Sequence, residues 1–374
     1  MKRYDIAAYI WPAYTGKEPR TRMFWPEGIG EWQTVRDAKG VSDDHNWPRK
    51  PLLGFRDEAD PAVMEQQIDI AADHGVNTFI YDWYWYDDRP FLENCLNEGF
   101  LKAKNVGRMK FYIMWANHDA NHLWFKSFAS SDIASTVIWQ GSVSREQFER
   151  IGHRWIEKYF GHPCYYKIDG KPVLMIYDTA SMVKGLGGME KTRAALDWLR
   201  NETVKAGFPG LHLQFCPQGG TSINVSGVDG SSLYVGRADI IKGLAYDSIT
   251  NYQFVHMTNM NRDYMEALSE VEPKWERFYN DYGVPYFPHV SVGWDNSPRH
   301  INFKGWICKN NTPENVEKAL RAAKRFVDTH ELPVPLITVN SWNEWTESSY
   351  LLPDDLYGYG YLEAIKKVFV NQEQ

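Results

Sequence analysis

The sequence predicts an α/β fold, and within that class a closed (β/α)8 barrel made as a single domain over 1–374. Three observations lead there: eight short runs rich in apolar and β-forming residues, amphipathic stretches between most of them, and the lack of a GxGxxG or P-loop fingerprint that would favour an open doubly wound sheet. No repeat or low-complexity linker divides the chain, and barrels of this kind often exceed 250 residues undivided.

The first strand is expected at 4–11 (YDIAAYIW). The connection that follows, 13–59, is rich in Pro, Gly, Trp and charge and too long for a turn, so it reads as a cover or binding element over the C-terminal face. A helix is expected at 60–75, with Val63, Ile68, Ala71 and Ala72 on one face and a closing glycine. Strand two is NTFIYDWYW (77–85); the run 90–105 after it has a weak helical pattern interrupted by Gly99. Strand three is KFYIMWAN (110–117), and the helix at 144–161 opens with Ser144 and Gln147 in capping-box spacing. Strand four (171–178) leads to a helix at 189–207 and strand five (211–218) to a Gly/Ser-rich segment, 219–236, that reads as a loop with no helix. Strand six is expected at 241–249, then a helix at 260–283 that Pro273 should break or kink. Strand seven (286–295), a helix at 312–331 and strand eight (335–342) complete the pattern.

Composition narrows the function classes. Trp, Tyr and Phe make up 15% of the chain, more than a core needs, and indole and phenol rings suit partly wet clefts such as those that hold sugars. A net charge of −7 argues against a non-specific nucleic-acid footprint. No run approaches the ~18 apolar residues of a membrane span, and the opening MKRYDIAAYIWPAY lacks a signal-peptide core. Cys95, Cys164, Cys216 and Cys308 are widely spaced with no CxxC pair, which points away from zinc and redox motifs.

In a barrel of this type the C-terminal strand ends face the active site. That register places there Tyr9 and Trp11; Asp82, Trp83 and Tyr84; Trp115, Asn117, His118 and Asp119; Tyr177 and Asp178; Gln214 and Gln218; Tyr246 and Asp247; Trp294 and Asp295; and Asn343, Glu344 and Glu347. Aromatic platforms beside amides and acids suit a polyhydroxylated ligand, so the expected partner is an oligo- or polysaccharide. Two carboxyls are what most glycoside-cleaving enzymes use, and Glu344 and Glu347 stand three residues apart beside Trp342 and Trp345. Crowding would raise one pKa and keep that group protonated as an acid. Arg299 is read either as a ligand for an anionic substituent or as an ion-pair partner of Asp295. His118 and His122 stand at i, i+4, a spacing compatible with a metal, but no further ligand spacing supports one and none is expected.

The segment WNEWTESSYLLPDDLYGYGYLEAI (342–365) resembles the C-terminal signature of the WbsX-like proteins, a set related to glycoside hydrolase family 99, the endo-α-mannosidases and mannanases. GFRDEADPAVMEQQIDIAADHGVNTFIYDWYW (54–85), MWANHD (114–119), YFGHPCYYKIDGKPVLMIY (159–177), YDSITNY (246–252) and VSVGWDNSPR (290–299) match in the same order. The resemblance implies a retaining mechanism without metal or cofactor, in which the sugar's own 2-hydroxyl attacks the anomeric carbon. Glu344 would be the base toward that hydroxyl and Glu347 the acid, then base, at the departing oxygen and water. Such chemistry suits α-mannosides and α-rhamnosides. The chain departs from many relatives at Ser348, where they read Gly, and at His118–Asp119, where WANHDAN replaces WANENW, which leaves subsite specificity open. The alternatives are a glycosyltransferase or polysaccharide-assembly protein and a non-catalytic carbohydrate-binding barrel.

Overall fold

The structure, a computed structural model, describes residues 3–42, 45, 49–121, 124, 136–226, 232–300 and 305–371. Eight parallel strands form a curled sheet: β1 (Asp5–Ile10), β2 (Thr78–Tyr86), β3 (Lys110–Trp115), β4 (Lys171–Ile176), β5 (His212–Phe215), β6 (Ser248–Ile249), β7 (His289–Ser291) and β8 (Leu336–Asn340). Their spatial order is β6-β5-β4-β3-β2-β1-β8-β7. The seam between β6 and β7 is joined by a parallel bridge of Ile249 with Tyr286, in which Ile249 N donates to Pro285 O (2.9 Å) and Phe287 N to Ile249 O (2.8 Å). The curl therefore closes as the predicted (β/α)8 barrel.

Helices α1 (Pro61–Asp73), α2 (Arg145–Trp155), α3 (Met189–Lys205), α4 (Arg237–Leu244), α5 (Tyr264–Asp281), α6 (Pro313–Thr329) and α7 (Gly360–Phe369) follow the strands. Only the connection after β2 lacks an α-helix among them and uses short turns between Cys95 and Arg108 instead. The start of α2 carries the expected capping box: Gln147 N donates to Ser144 Oγ and Ser144 N to Gln147 Oε1, which satisfies two orphan donors at once. Between β1 and α1 the long connection holds a 3-10 turn (Pro19–Met23) and a short helix (Trp32–Arg36). Among the described residues no helix is long and apolar enough to cross a membrane.

Three expectations need correction. The segment 219–236 carries an antiparallel hairpin, Ser222–Ser226 with Ser232–Gly236, although its tip at 227–231 lies outside the described residues. The helix expected to be missing after β5 is α4, and it takes up the first half of the segment predicted as strand six. Ile240, Ile241 and Leu244 are its buried face, and so short an apolar pattern, broken by Lys242 and Gly243, reads equally as strand or helix. Finally, Pro273 does not end α5, which continues as one helix from Tyr264 to Asp281. The carbonyl that loses its donor belongs to Ser269, an exposed residue, where the loss costs least.

Candidate active site

Strand periodicity decides which of the predicted residues reach the barrel mouth. Along β2, alternate side chains point to opposite faces. Asp82 and Tyr84 face inward and line a cleft of about 320 Å³, together with Trp11, His118, Trp124, Tyr177, Tyr252, His256, Trp294, Arg299, Glu344 and Glu347. Trp83 faces the helices, donating from Nε1 to Glu93 (2.8 Å) with its ring 5.3 Å from Trp155. Trp115 on β3 does the same, packing on Trp155 at 5.6 Å and Phe148 at 5.9 Å. Both belong to the layer between sheet and helices, not to the cleft.

Other predicted residues stand beneath or beside the cleft. Tyr9 is fully buried and donates to Asn251 O (2.9 Å). Gln214 accepts from Tyr112 inside the barrel (3.0 Å), and Gln218 donates to Tyr177 O. Asn117 ties the ends of β3 and β4 by two bonds with the backbone of Asp178. Asn343 does the same with both backbone groups of Trp11. Asp119 lines the cleft but also accepts from Gly141 N (2.8 Å). Tyr246 and Asp247 are misplaced by the strand-six error: they precede β6, Tyr246 meeting Thr179 and Asp247 accepting from Leu213 N. The residue that emerges above β6 is Tyr252, present in the same sequence motif but five positions beyond Asp247. His122 lies outside the described residues.

Glu344 and Glu347 stand on a small hairpin above β8, Asn343–Glu344 paired with Ser349–Tyr350. A 3-10 turn, Trp345–Glu347, closes it, with Ser348 in the left-handed region at φ 50°. The indoles beside the carboxyls are anchors and not sugar platforms. Trp345 is buried and stacks on Tyr350 at 3.8 Å, while Trp342 Nε1 donates to Gln67 (2.7 Å).

One guanidinium holds the two carboxyls together. Arg299 Nη1 lies 2.9 Å from Glu347 Oε1 and Nη2 lies 3.7 Å from Glu344 Oε1, while Nε donates to Glu31 (2.9 Å). The pairing of Arg299 with Asp295 expected from sequence does not form. Instead Asp295 caps the turn that presents Arg299, accepting from Ser297 N (2.9 Å), and pairs with His45 Nε2 at 2.7 Å. Glu31 comes from the long connection, is fully buried and also accepts from Trp11 Nε1 and from Thr346 Oγ1. Sequence reading missed it, as it missed Glu58, which accepts from Asn343 Nδ2 (2.8 Å) and Gln67 Nε2 (3.1 Å). Burial pushes Glu58 up to about 8, against hydrogen bonds that pull the other way.

The electrostatics separate the two glutamates. Burial raises the pKa of both; Glu344 gains relief from the Arg299 charge and from the Tyr252 hydroxyl, while Glu347 is pushed well above the usual carboxyl range by burial and then by Glu344. Glu347 Oε2 is buried with no hydrogen-bond partner, as suits a carboxyl that keeps a proton for a ligand. The Tyr252 hydroxyl lies 2.9 Å from Glu344 Oε2 and 3.1 Å from Asp82 Oδ2. One O–H proton cannot serve both at once, an arrangement that a proton on Asp82 would relieve. Burial and then the Glu344 charge do hold Asp82 well above its ordinary pKa. His118, its pKa lowered by burial, presents a neutral ring edge-on to Tyr84 and Tyr177, each at 5.7 Å. Among the described residues no group of three His, Cys, Asp or Glu side chains is placed to hold a metal ion.

Comparison with known proteins agrees with this architecture. The chain is 25% identical over 352 residues to the uncharacterized protein WxcX of Xanthomonas campestris pv. campestris, covering 93% of this chain but 47% of that protein. It thus spans about half the length of the curated relatives it matches. Among solved structures, the GH99 endo-α-mannosidase of Bacteroides thetaiotaomicron superposes with a TM-score of 0.61 at 14% identity, covering 100% of this chain and 98% of that one. A glycoside hydrolase-like protein superposes at 0.60 with 13% identity, covering 99% and 94%. At these identities the likeness shows a shared barrel fold. The family model described as glycosyltransferase WbsX matches residues 6–365, and the chain belongs to that family.

Proposed function

We propose that the protein is a retaining glycoside hydrolase acting on an α-mannoside- or α-rhamnoside-type oligo- or polysaccharide. The observation that carries the reading is the pair Glu344 and Glu347 on one guanidinium, both with raised pKa values and Glu347 raised the further of the two. Such a split supplies a base and an acid in one cleft. Glu344 takes the proton of the sugar's 2-hydroxyl as that oxygen bonds to the anomeric carbon. Glu347 gives its proton to the departing glycosidic oxygen, and the C–O bond breaks. Water then adds at the anomeric carbon, delivering its proton to Glu347, while the 2-oxygen regains a proton from Glu344. Asp82 and Tyr252 set the proton state of Glu344, and Arg299 fixes the spacing of the pair. Trp11, Tyr84, Tyr177 and Trp294 supply ring surfaces around it. The structural likeness to an endo-α-mannosidase favours the same substrate class.

The family description favours a second reading, transfer to a saccharide hydroxyl in place of water. An oligosaccharide panel assayed with wild type and Glu347→Gln tests the first. Cleavage by the wild type and a fall of roughly 10²–10⁴ in the variant are expected. Full activity of Glu347→Gln on a substrate the wild type cleaves would refute it. Calorimetric binding of a sugar nucleotide, with no cleavage anywhere in the panel, would establish the second.

A further inference from the structure

Beside the cleft lies a second hollow of about 340 Å³, lined among others by Arg237, His256, Lys274, Arg277, Phe278 and Asp281. His256 lines both spaces, so the hollow adjoins the cleft at that side chain, beside Tyr252. We propose that this hollow is a subsite for an anionic substituent, a carboxylate, phosphate or sulfate, on the saccharide whose reacting unit sits at Glu344 and Glu347. The inference rests on the saccharide reading of the cleft and deepens it by naming an acidic glycan as the substrate class.

The charge count is the first support. In a chain of net charge −7, the hollow brings three cations together against one carboxylate. Among the described residues, none of the three cations has a carboxylate within ion-pair distance. Arg237 and Lys274 donate instead to backbone carbonyls, of Gln218 and Met257, which satisfies protons without neutralising charge. Glu270, the nearest acid to Lys274 in sequence, is taken up by Thr258 and Arg262. Burial, and then the Arg277 and Arg262 charges, lower the pKa of Lys274 against the pull of Glu270, the one carboxylate that acts on it from beyond ion-pair distance.

The remaining lining fits a sugar bearing that charge. The Arg237 guanidinium lies 5.6 Å from the centre of the Phe278 ring, so an apolar ring and a fork of N–H donors meet at one place. Arginine forks bind carboxylate and phosphate oxygens in pairs. His256 Nδ1 is buried without a partner, and burial lowers the ring's pKa to about 4, so the ring beside the cations stays neutral and adds no charge of its own. A neutral glycan would bring no charge to the three cations that Asp281 alone faces within the hollow.

The test is ligand-observed NMR titration of Glu347→Gln protein with mannuronate, mannose 6-phosphate, mannose 6-sulfate and, as the neutral control, mannose. At least one charged sugar should bind about tenfold or more tightly than mannose at low salt. The preference should shrink in Arg277→Gln, a change at an exposed position that leaves folding undisturbed, and disappear in Lys274→Met/Arg277→Gln. Comparable binding of all four sugars, or a charged-sugar preference that survives the double substitution, would overturn the proposal. Because the readout is binding in a protein already deprived of its acid, this outcome stands apart from failure of the wild type to cleave any glycoside, which would count against the catalytic reading.

Discussion

Replacing Arg299 by Met should destabilise the protein most where its carboxyl neighbours are charged. The guanidinium is only 12% exposed and faces Glu31, Glu344 and Glu347, which are themselves 0%, 5% and 12% exposed. Methionine keeps much of the packing against Trp11, 5.6 Å below the guanidinium, but brings no charge. Removing one partner of a buried ionic group costs about 3–5 kcal/mol, because the remaining charge stays desolvated. An unfolding entropy of about 2.1 cal/mol/K per residue over 374 residues gives about 0.8 kcal/mol/K, so Tm should fall by about 4–6 °C at pH 8. The pH dependence gives the argument its sign. Arg299 lowers the pKa of both Glu344 and Glu347, so its loss raises them further. A carboxyl whose folded pKa is raised costs stability above its unfolded value, and that cost grows with pH until the folded group ionises. The penalty should therefore be small near pH 4 and grow toward pH 8, as read by differential scanning calorimetry. An unchanged Tm at pH 8, or a penalty greater at pH 4 than at pH 8, would refute the assignment of Arg299 as the counter-charge of the pair.

Other expectations follow from the same geometry. On a substrate with a highly acidic leaving group such as dinitrophenol, Glu347→Gln should lose far less of its first step than on a natural glycan, because that oxygen needs no proton; equal losses on both would argue against an acid role. The kcat/KM profile should fall on the acid side as Glu344 gains its proton and on the alkaline side as Glu347 loses its own, and Glu347→Gln should abolish only the alkaline limb. Tyr252→Phe removes the hydroxyl that lowers the pKa of Glu344, so the acid limb should move to higher pH with the fold intact; an unmoved limb would place Tyr252 outside the proton network. Glu58→Gln should gain thermal stability relative to wild type as pH rises from about 4.3 toward 8, since the wild-type carboxyl, held at about 8, resists ionisation in the fold; a difference in Tm that does not vary with pH over that window would contradict the burial assigned to Glu58.

The barrel was legible because its signal is local. Each central strand is a short apolar run between turn residues, and helices such as 144–161 announce their start in their own first residues. The reading failed at β6 for a reason of the same kind. With only Ser248 and Ile249 in the strand, the period-two pattern never develops, while the apolar face of α4 just upstream supplies the run that mimics it. A shift of that boundary carried Tyr246 and Asp247 into the predicted site and left Tyr252 out of it, though all three belong to one motif.

Within the site, two different limits applied. Trp83 and Trp115 were included because strand ends were taken whole; alternation alone separates them from Asp82 and Tyr84, and that rule could have been applied to the sequence. Glu31 and Glu58 were beyond such reasoning. They lie in the 13–59 connection, where no periodicity fixes direction, and their burial depends on contacts with Arg299, Trp11 and Asn343 from distant strands. That dependence has a consequence for how the site is built. Arg299 reaches Glu347 from the turn after β7, Glu31 reaches Arg299 from the connection after β1, and Glu347 itself stands after β8. The acid of the proposed pair is thus held by three neighbouring loops at the end of the barrel where the parallel strands terminate. The long connection, by supplying Glu31 to the far side of the guanidinium, is part of the acid's support and not merely a cover over the cleft.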